Sequence, residues 1–276
     1  PSAIRATAEY AAACDGAEAV VIVTPSAALR SVAADLRKLV APATPIVICS
    51  KGVEEKTGLL PIDTFAAELG NAGRMAVLSG PTHAEEVICR KPSAAVVASA
   101  DEGTALFFRD LFATRFFRTY TSDDPVGVEL CAAFKNLIAI AVGISYGMGF
   151  GDNTAAMLIT RGLAEMSRMV VAAGGEALTC MGGAGDMVVT CMSQHSRNRR
   201  FGEQYVARGL TLDDFTAQTH MVVEGAIACK TLATLEARYG VDLPLTDTVR
   251  SVVWEGVNPR EAAAALIDRP LKSEFY

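Results

Sequence analysis

The chain contains no C-x-x-C pair, no H-x-x-x-H pair and no G-x-G-x-x-G turn, and each absence excludes a class of site. Its seven cysteines, at positions 14, 49, 89, 131, 180, 191 and 229, are odd in number and scattered, several in apolar runs where a thiol acts as a small hydrophobe. That is the pattern of a reduced chain without a disulfide framework. Three histidines, at 83, 195 and 220, lack cysteine neighbours, so no metal site is expected. The longest uncharged stretch, 136–151, is shorter than a membrane span and diluted by four glycines, so no membrane insertion is expected. Positive charge is not in excess either: a net charge of −6 disfavours nucleic acid as partner, and the arginines at 197–200 lack the interleaved aromatics that stack on bases. No charged segment followed by an apolar one opens the sequence, so a cytoplasmic protein is expected.

Half of the 276 residues are hydrophobic, enough for two ordinary cores. Apolar, β-branched runs at 19–24, 46–50, 75–79 and 94–99 read as strands buried on both faces. Between them Leu29, Val32, Ala33, Leu36 and Leu39 recur at helical spacing, and Phe65, Ala66 and Leu69 start a second stripe. This alternation predicts a doubly wound parallel α/β sheet over residues 1–121, with a first helix over Ser2 to Cys14. Residues 122–276 read as a mostly helical, all-α domain. Asp123-Asp124-Pro125 opens one helix, residues 222–239 form another closed by Gly240, and Asn258-Pro259 caps the last.

Ligands of open α/β sheets bind outside the carboxyl ends of the strands. The residues there are Pro25-Ser26, Lys51-Gly52 and Gly80-Pro81-Thr82-His83, so Lys51 and Thr82 are placed over one crevice. Lys135-Asn136 interrupts the apolar run 130–142. A lysine buried there is expensive unless paired, and desolvation lowers its pKa toward that of a usable base. Asp186 and the cluster Ser196-Arg197-Asn198-Arg199-Arg200 concentrate a carboxylate, a hydroxyl, an amide and three guanidiniums. Guanidinium forks suit a phosphate, since each donates two parallel hydrogen bonds to one anion.

Taken in order, Lys51-Gly52, Ser79-Gly80-Pro81-Thr82-His83-Ala84, Phe134-Lys135-Asn136, Thr160-Arg161-Gly162-Leu163, Gly183-Ala184-Gly185-Asp186, Ser196-Arg197-Asn198-Arg199-Arg200-Phe201-Gly202 and Val222-Val223-Glu224-Gly225 resemble the NAD(P)-dependent glycerol-3-phosphate dehydrogenases of bacteria. The resemblance spans nearly the whole chain. It implies a Rossmann domain, a helical substrate domain, NAD or NADP as cofactor, and interconversion of sn-glycerol 3-phosphate and dihydroxyacetone phosphate, supplying phospholipid synthesis. It makes Lys135 the proton acceptor, with Lys51 and Asp186 beside it in catalysis. It gives substrate contacts to Lys51, Gly80, Thr82, Asp186, Ser196, Arg197 and Asn198, and cofactor contacts to Ala84, Arg197, Val222 and Glu224.

That family also carries a Gly-rich strand-turn-helix fingerprint, and the nearest approach here, Gly147-Met148-Gly149-Phe150-Gly151, lies in the helical half. The chain is therefore expected to start partway into its Rossmann sheet. An incomplete sheet leaves an unpaired edge prone to association, so a homodimer is expected. Competing readings are a related dehydrogenase acting on a hydroxy acid or CoA ester, and a catalytically silent folded or dimerisation module.

Overall fold

The computed structural model describes residues 4–70, 73–176, 180–271 and 273. Its first half is built from α1 (Tyr10–Cys14), β1 (Val20–Ile22), α2 (Leu29–Leu36), β2 (Ile46–Ile48), α3 (Pro61–Leu69), β3 (Met75–Ser79), α4 (Ala84–Ile88), β4 (Ser93–Ala98), α5 (Glu102–Phe112) and β5 (Phe117–Ser122). The strands lie side by side in chain order as one five-stranded sheet. β1, β2 and β3 are parallel, in the register Val20 to Ile46 to Met75. Helices cover both faces: α2 and α3 pack on Ile22, Ile48 and Val77, and α5 places Phe108 against Val47, Ala76 and Val97. The expected α/β sheet is thus present and mainly parallel.

Three details differ from the sequence reading. β4 runs antiparallel to β3, pairing Val77 with Ala98, before β5 returns parallel to β4. The connection from β3 to β4 carries only the five-residue α4, which buries no side chain, so no helix crosses the sheet face there to restore direction. A buried apolar run reports that a strand is covered, not which way it points. β5 was not among the expected strands, because half of it faces solvent and its residues, Phe-Arg-Thr-Tyr-Thr-Ser, contain no apolar run. α1 is also shorter than expected, and Ser2 lies outside the described residues.

The second half consists of α6 (Pro125–Gly147), α7 (Asp152–Ala172), a π-helical turn at Cys180–Gly185, α8 (Asp186–Met192), α9 (Arg197–Gln204), α10 (Leu212–Thr219), α11 (Glu224–Tyr239), α12 (Pro244–Trp254) and α13 (Pro259–Ile267). The helix starts read from sequence are explained by their caps. The Asp124 carboxylate accepts from the Gly127 N–H at 2.8 Å, Gly240 closes α11 in the left-handed conformation, and Asn258 accepts from the Arg260 N–H.

α6 organises everything else. By length and composition it could cross a membrane, yet its whole apolar window is enclosed by the fold, which is why it is apolar on every side. Val128 near its start joins the sheet-side core, and from Leu130 onward it forms the centre of the helical core. Two buried carboxylates brace the neighbouring helices. Glu129 accepts from the Ile62 N–H at the start of α3, and Glu165 accepts from the Leu245 and Thr246 N–H groups at the start of α12. Burial pushes both carboxyls up, Glu165 to about 7.

Helix α9 lies against α6 at backbone contact. A Cβ on Gly143 would sit 2.1 Å from the Arg199 carbonyl oxygen, and one on Gly202 would sit 2.3 Å from that of Ile140. The crossing sets the N-terminus of α9 beside the middle of α6. Gly143→Ala should therefore force the helices apart at a cost of roughly 1–3 kcal/mol, as overpacking does. A lower urea midpoint with an unchanged slope is the expected result, and an unchanged midpoint would show that the crossing tolerates a methyl group.

Candidate active site

The carboxyl ends of β1, β2 and β3 face the helical half, and the loops after them form one wall of a cleft. Lys51 follows β2 and reaches the Asp186 carboxylate at the start of α8, with Nζ 3.0 Å from Oδ2. Lys135, from the middle of α6, donates to the other oxygen of that carboxylate at 2.5 Å and to the Thr190 hydroxyl at 3.0 Å. Ser79, the last residue of β3, donates to Asp186 Oδ2 at 3.3 Å. One carboxylate thus holds two ammonium groups, one from each half of the molecule.

The balance of charge within this group is uneven. Asp186 is 1% exposed; burial alone would raise its pKa, but the charges of Lys51 and Lys135 outweigh burial and hold it below the usual range. Lys135 is 5% exposed, and burial together with the charge of Lys51 brings its pKa down to about 7 against the opposing pull of Asp186. Burial acts on Lys51 too, though a quarter of its side chain meets solvent, and Asp186 raises its pKa overall. One anion can neutralise one cation in a low-dielectric site; the deeper lysine is left close to neutrality.

Above the lysines opens a cleft of about 1710 Å³, mouth included. Of the residues expected to act, Lys51, Thr82, Ala84, Lys135, Ser196, Arg197, Asn198, Val222 and Glu224 line it. Asp186 lies beneath the lysines. Gly80 lies against β4 with φ +151, where a Cβ would fall 2.8 Å from the Ala94 carbonyl oxygen, so the loop can pass there only as glycine.

Several of these residues also have structural partners. The Ser196 hydroxyl accepts from the Arg199 N–H and caps α9. Asn198 donates to the Asn136 side chain at 3.0 Å and accepts from the Gly225 N–H at 2.9 Å, joining α9 to α6 and α11. Glu224, at the start of α11, accepts from Ser26 after β1 at 2.8 Å and ties the two walls together. Thr82 donates back to the Gly80 carbonyl at 3.2 Å.

Sequence reasoning did not assign Thr190, Asn136 or His83 to the site. Thr190 stands four residues after Asp186 on α8, the spacing that puts both on one helix face, and that signal was available. Asn136 was visible beside Lys135, but its partner sits 62 residues away. His83 lines the cleft with its Nε2 buried and unpartnered, and burial first, then Lys135, lowers its pKa. Its place in the loop after β3 was visible in the sequence, but nothing there gave it a role.

A sheet whose strand ends face a helical half across a cleft, with a buried lysine at its floor, is the arrangement of an α/β enzyme that takes its ligand at the carboxyl ends of the strands. Family models place the chain more closely: residues 1–105 match the N-terminal part of NAD-dependent glycerol-3-phosphate dehydrogenase, and residues 124–264 match its C-terminal part. The chain belongs to that family. It is 45% identical to glycerol-3-phosphate dehydrogenase (NAD(P)+) of Streptomyces griseus, covering 99% of this chain and 82% of that protein. The enzyme of the same name from Oleidesulfovibrio alaskensis is 44% identical over 99% of this chain and 83% of its own length. The crystal structure of glycerol-3-phosphate dehydrogenase from Coxiella burnetii superimposes with a TM-score of 0.92 at 35% identity, covering 98% of this chain and 82% of that one.

The charge balance gives a test. Replacing Lys51 by Met removes the cation that lowers the Lys135 pKa while Asp186 stays, so the titration of Lys135 should move above 7 toward the ordinary lysine range. The pH dependence of kcat/KM reads this as an inflection displaced to higher pH, and an inflection that stays or falls would remove the coupling.

Proposed function

We propose that this chain interconverts sn-glycerol 3-phosphate and dihydroxyacetone phosphate with NAD(P)+ or NAD(P)H, and that Lys135 is the group exchanging a proton with the C2 oxygen. The observation that carries the reading is the buried Lys135, held by Asp186 and Thr190 at the floor of the cleft and brought to about 7. A silent folding module has no use for a costly lysine kept at neutrality, so that alternative is not favoured.

The cleft suits the nicotinamide end of the cofactor. Val23, Pro25, Ala84 and Val222 offer an apolar wall for a flat ring, with Glu224 and Arg197 at its margin. The bound cofactor supplies or accepts the hydride at C2. Neutral Lys135 takes the hydroxyl proton during oxidation, and protonated Lys135 returns it as the carbonyl is reduced. Lys51 stays charged across neutral pH and stabilises negative charge developing on the C2 oxygen. Asp186 fixes both ammonium groups and keeps their separation constant. Ser196, Arg197 and Asn198 take the phosphate, whose binding energy positions C2.

Residues 1–121 and 122–276 are read as the dinucleotide and substrate units of this enzyme. A cytoplasmic homodimer completes the proposal.

Because oxidation requires neutral Lys135, kcat/KM for glycerol 3-phosphate oxidation should rise with pH through about 7 and then level, while carbonyl reduction should fall over the same interval. Lys135→Met should lower kcat about 10²- to 10⁴-fold, with cofactor affinity nearly unchanged in fluorescence titration. A rate within roughly tenfold of the parent would take Lys135 out of its role. Arg197→Lys replaces a planar fork by a point charge, so KM for glycerol 3-phosphate should rise well beyond any change in the cofactor KM. Equal affinity of the parent for glycerol and glycerol 3-phosphate would overturn the phosphate assignment.

A further inference from the structure

The donors around the start of α9 carry less positive charge than a phosphate dianion needs. Ser196 uses its oxygen to cap α9 and retains a single hydroxyl hydrogen. Asn198 has one amide hydrogen committed to Asn136 and its oxygen to the Gly225 N–H, which leaves one N–H. With the two parallel N–H groups of an Arg197 fork and the backbone N–H groups of Arg197 and Asn198 in the first turn of α9, the donors approach the roughly six hydrogen bonds that the three peripheral oxygens of a phosphate monoester accept, but Arg197 is the one charged group among them against a phosphate charge of about −2.

The three arginines of this helix have different surroundings. Arg199 is engaged: it pairs with Glu203 at 3.3 Å and lies 4.7 Å over the Tyr146 ring. Arg200 is three residues beyond Arg197, hence roughly 60° away around the helix and one turn higher on the same side. Both line the cleft, and Arg200 is half-buried. No carboxylate among the described residues pairs with it. The carboxylate of Glu224 in the same cleft is taken by Ser26, and that of Asp186 by the two lysines. A half-buried guanidinium facing a cleft with no anion of its own is matched to an anion that enters from outside.

Resting on the function proposed above, we infer that Arg200 is a second guanidinium gripping the substrate phosphate, so that Arg197 and Arg200 clamp one phosphate monoester from adjacent turns of α9. The pair makes the cleft selective for a dianionic phosphate over a carboxylate, whose two oxygens one fork already satisfies. Arg199, between them in sequence, takes no part because Glu203 and the Tyr146 ring hold its guanidinium and it does not line the cleft.

Calorimetric titration of the chain with sn-glycerol 3-phosphate, and separately with inorganic phosphate, tests this without need of turnover. Arg200→Gln should weaken both ligands about tenfold to a hundredfold, the effect of losing charged hydrogen bonds. Arg200→Lys should recover part of the loss. Arg199→Gln removes the same charge from the same helix and should change either affinity by less than about twofold. In steady-state assays the Arg200→Gln loss should fall on KM for the phosphorylated substrate and leave that of the cofactor in place.

An Arg200→Gln affinity equal to the parent's would overturn the inference. So would an equal loss in Arg199→Gln, which would indicate diffuse charge, or a loss confined to NADPH, which would assign Arg200 to the dinucleotide. A parent chain that fails to bind glycerol 3-phosphate would instead overturn the proposed function, and this clamp with it.

Discussion

The structure depends on the cost of burying charge at the meeting of its two halves. Asp186 alone in that position would be prohibitive, and so would Lys135 on an otherwise apolar helix. Together with Lys51 they form a group in which each charge is tolerable only because the others are present. Lys51 comes from the sheet, Lys135 from the long helix and Asp186 from the helix after the π-helical turn. The group is therefore an electrostatic bond between the halves as well as the proposed chemical centre. Burial first, and then the imbalance of two cations on one anion, keeps the deeper lysine near neutrality.

The surrounding framework holds those charges at fixed separation. The loop that carries Lys51 is gripped from both sides. Arg30 of α2 pairs with its Glu54 at 2.6 Å, and Arg238 of α11 donates to the Thr57 carbonyl at 2.6 Å and the Gly58 carbonyl at 3.2 Å. Ser26 and Glu224 add a further contact across the cleft. Arg30 shares its guanidinium with Glu68 on α3, so the loop is also tied to the helices covering the sheet. A lysine that tunes its neighbour by charge must stay at a constant distance from it, and these contacts keep it there.

The apolar character of α6 has the same origin. Every residue from Gly127 to Ser145 is buried, because the helix passes between the sheet core and a ring of other helices. The backbone contact at Gly143 and Gly202 brings α9 close enough for Asn198 to meet Asn136, and in doing so turns Arg197 and Arg200 toward the cleft. Packing and the lining of the cleft are therefore two results of one helix crossing.

Local chemistry was legible in the sequence wherever a short span decided it. The strand positions, the caps at Asp124 and Asn258, the Gly240 stop and the oddity of a lysine inside an apolar run all follow from backbone preference or burial cost within a few residues. The ordered motifs were enough to indicate the family and to select residues that come to line one cleft. What remained hidden involves pairing at a distance. The antiparallel entry of β4 depends on where a short connection turns, and the half-exposed β5 has no apolar run to announce it. The sharing of Asp186 between Lys51 and Lys135 links positions 135 and 51 residues apart. Which arginines of a single run face the cleft and which faces Tyr146 is likewise a tertiary outcome. Composition and spacing determine that charges of both signs are present; only the folded chain sets their distances, and the pKa of a buried base depends on those distances.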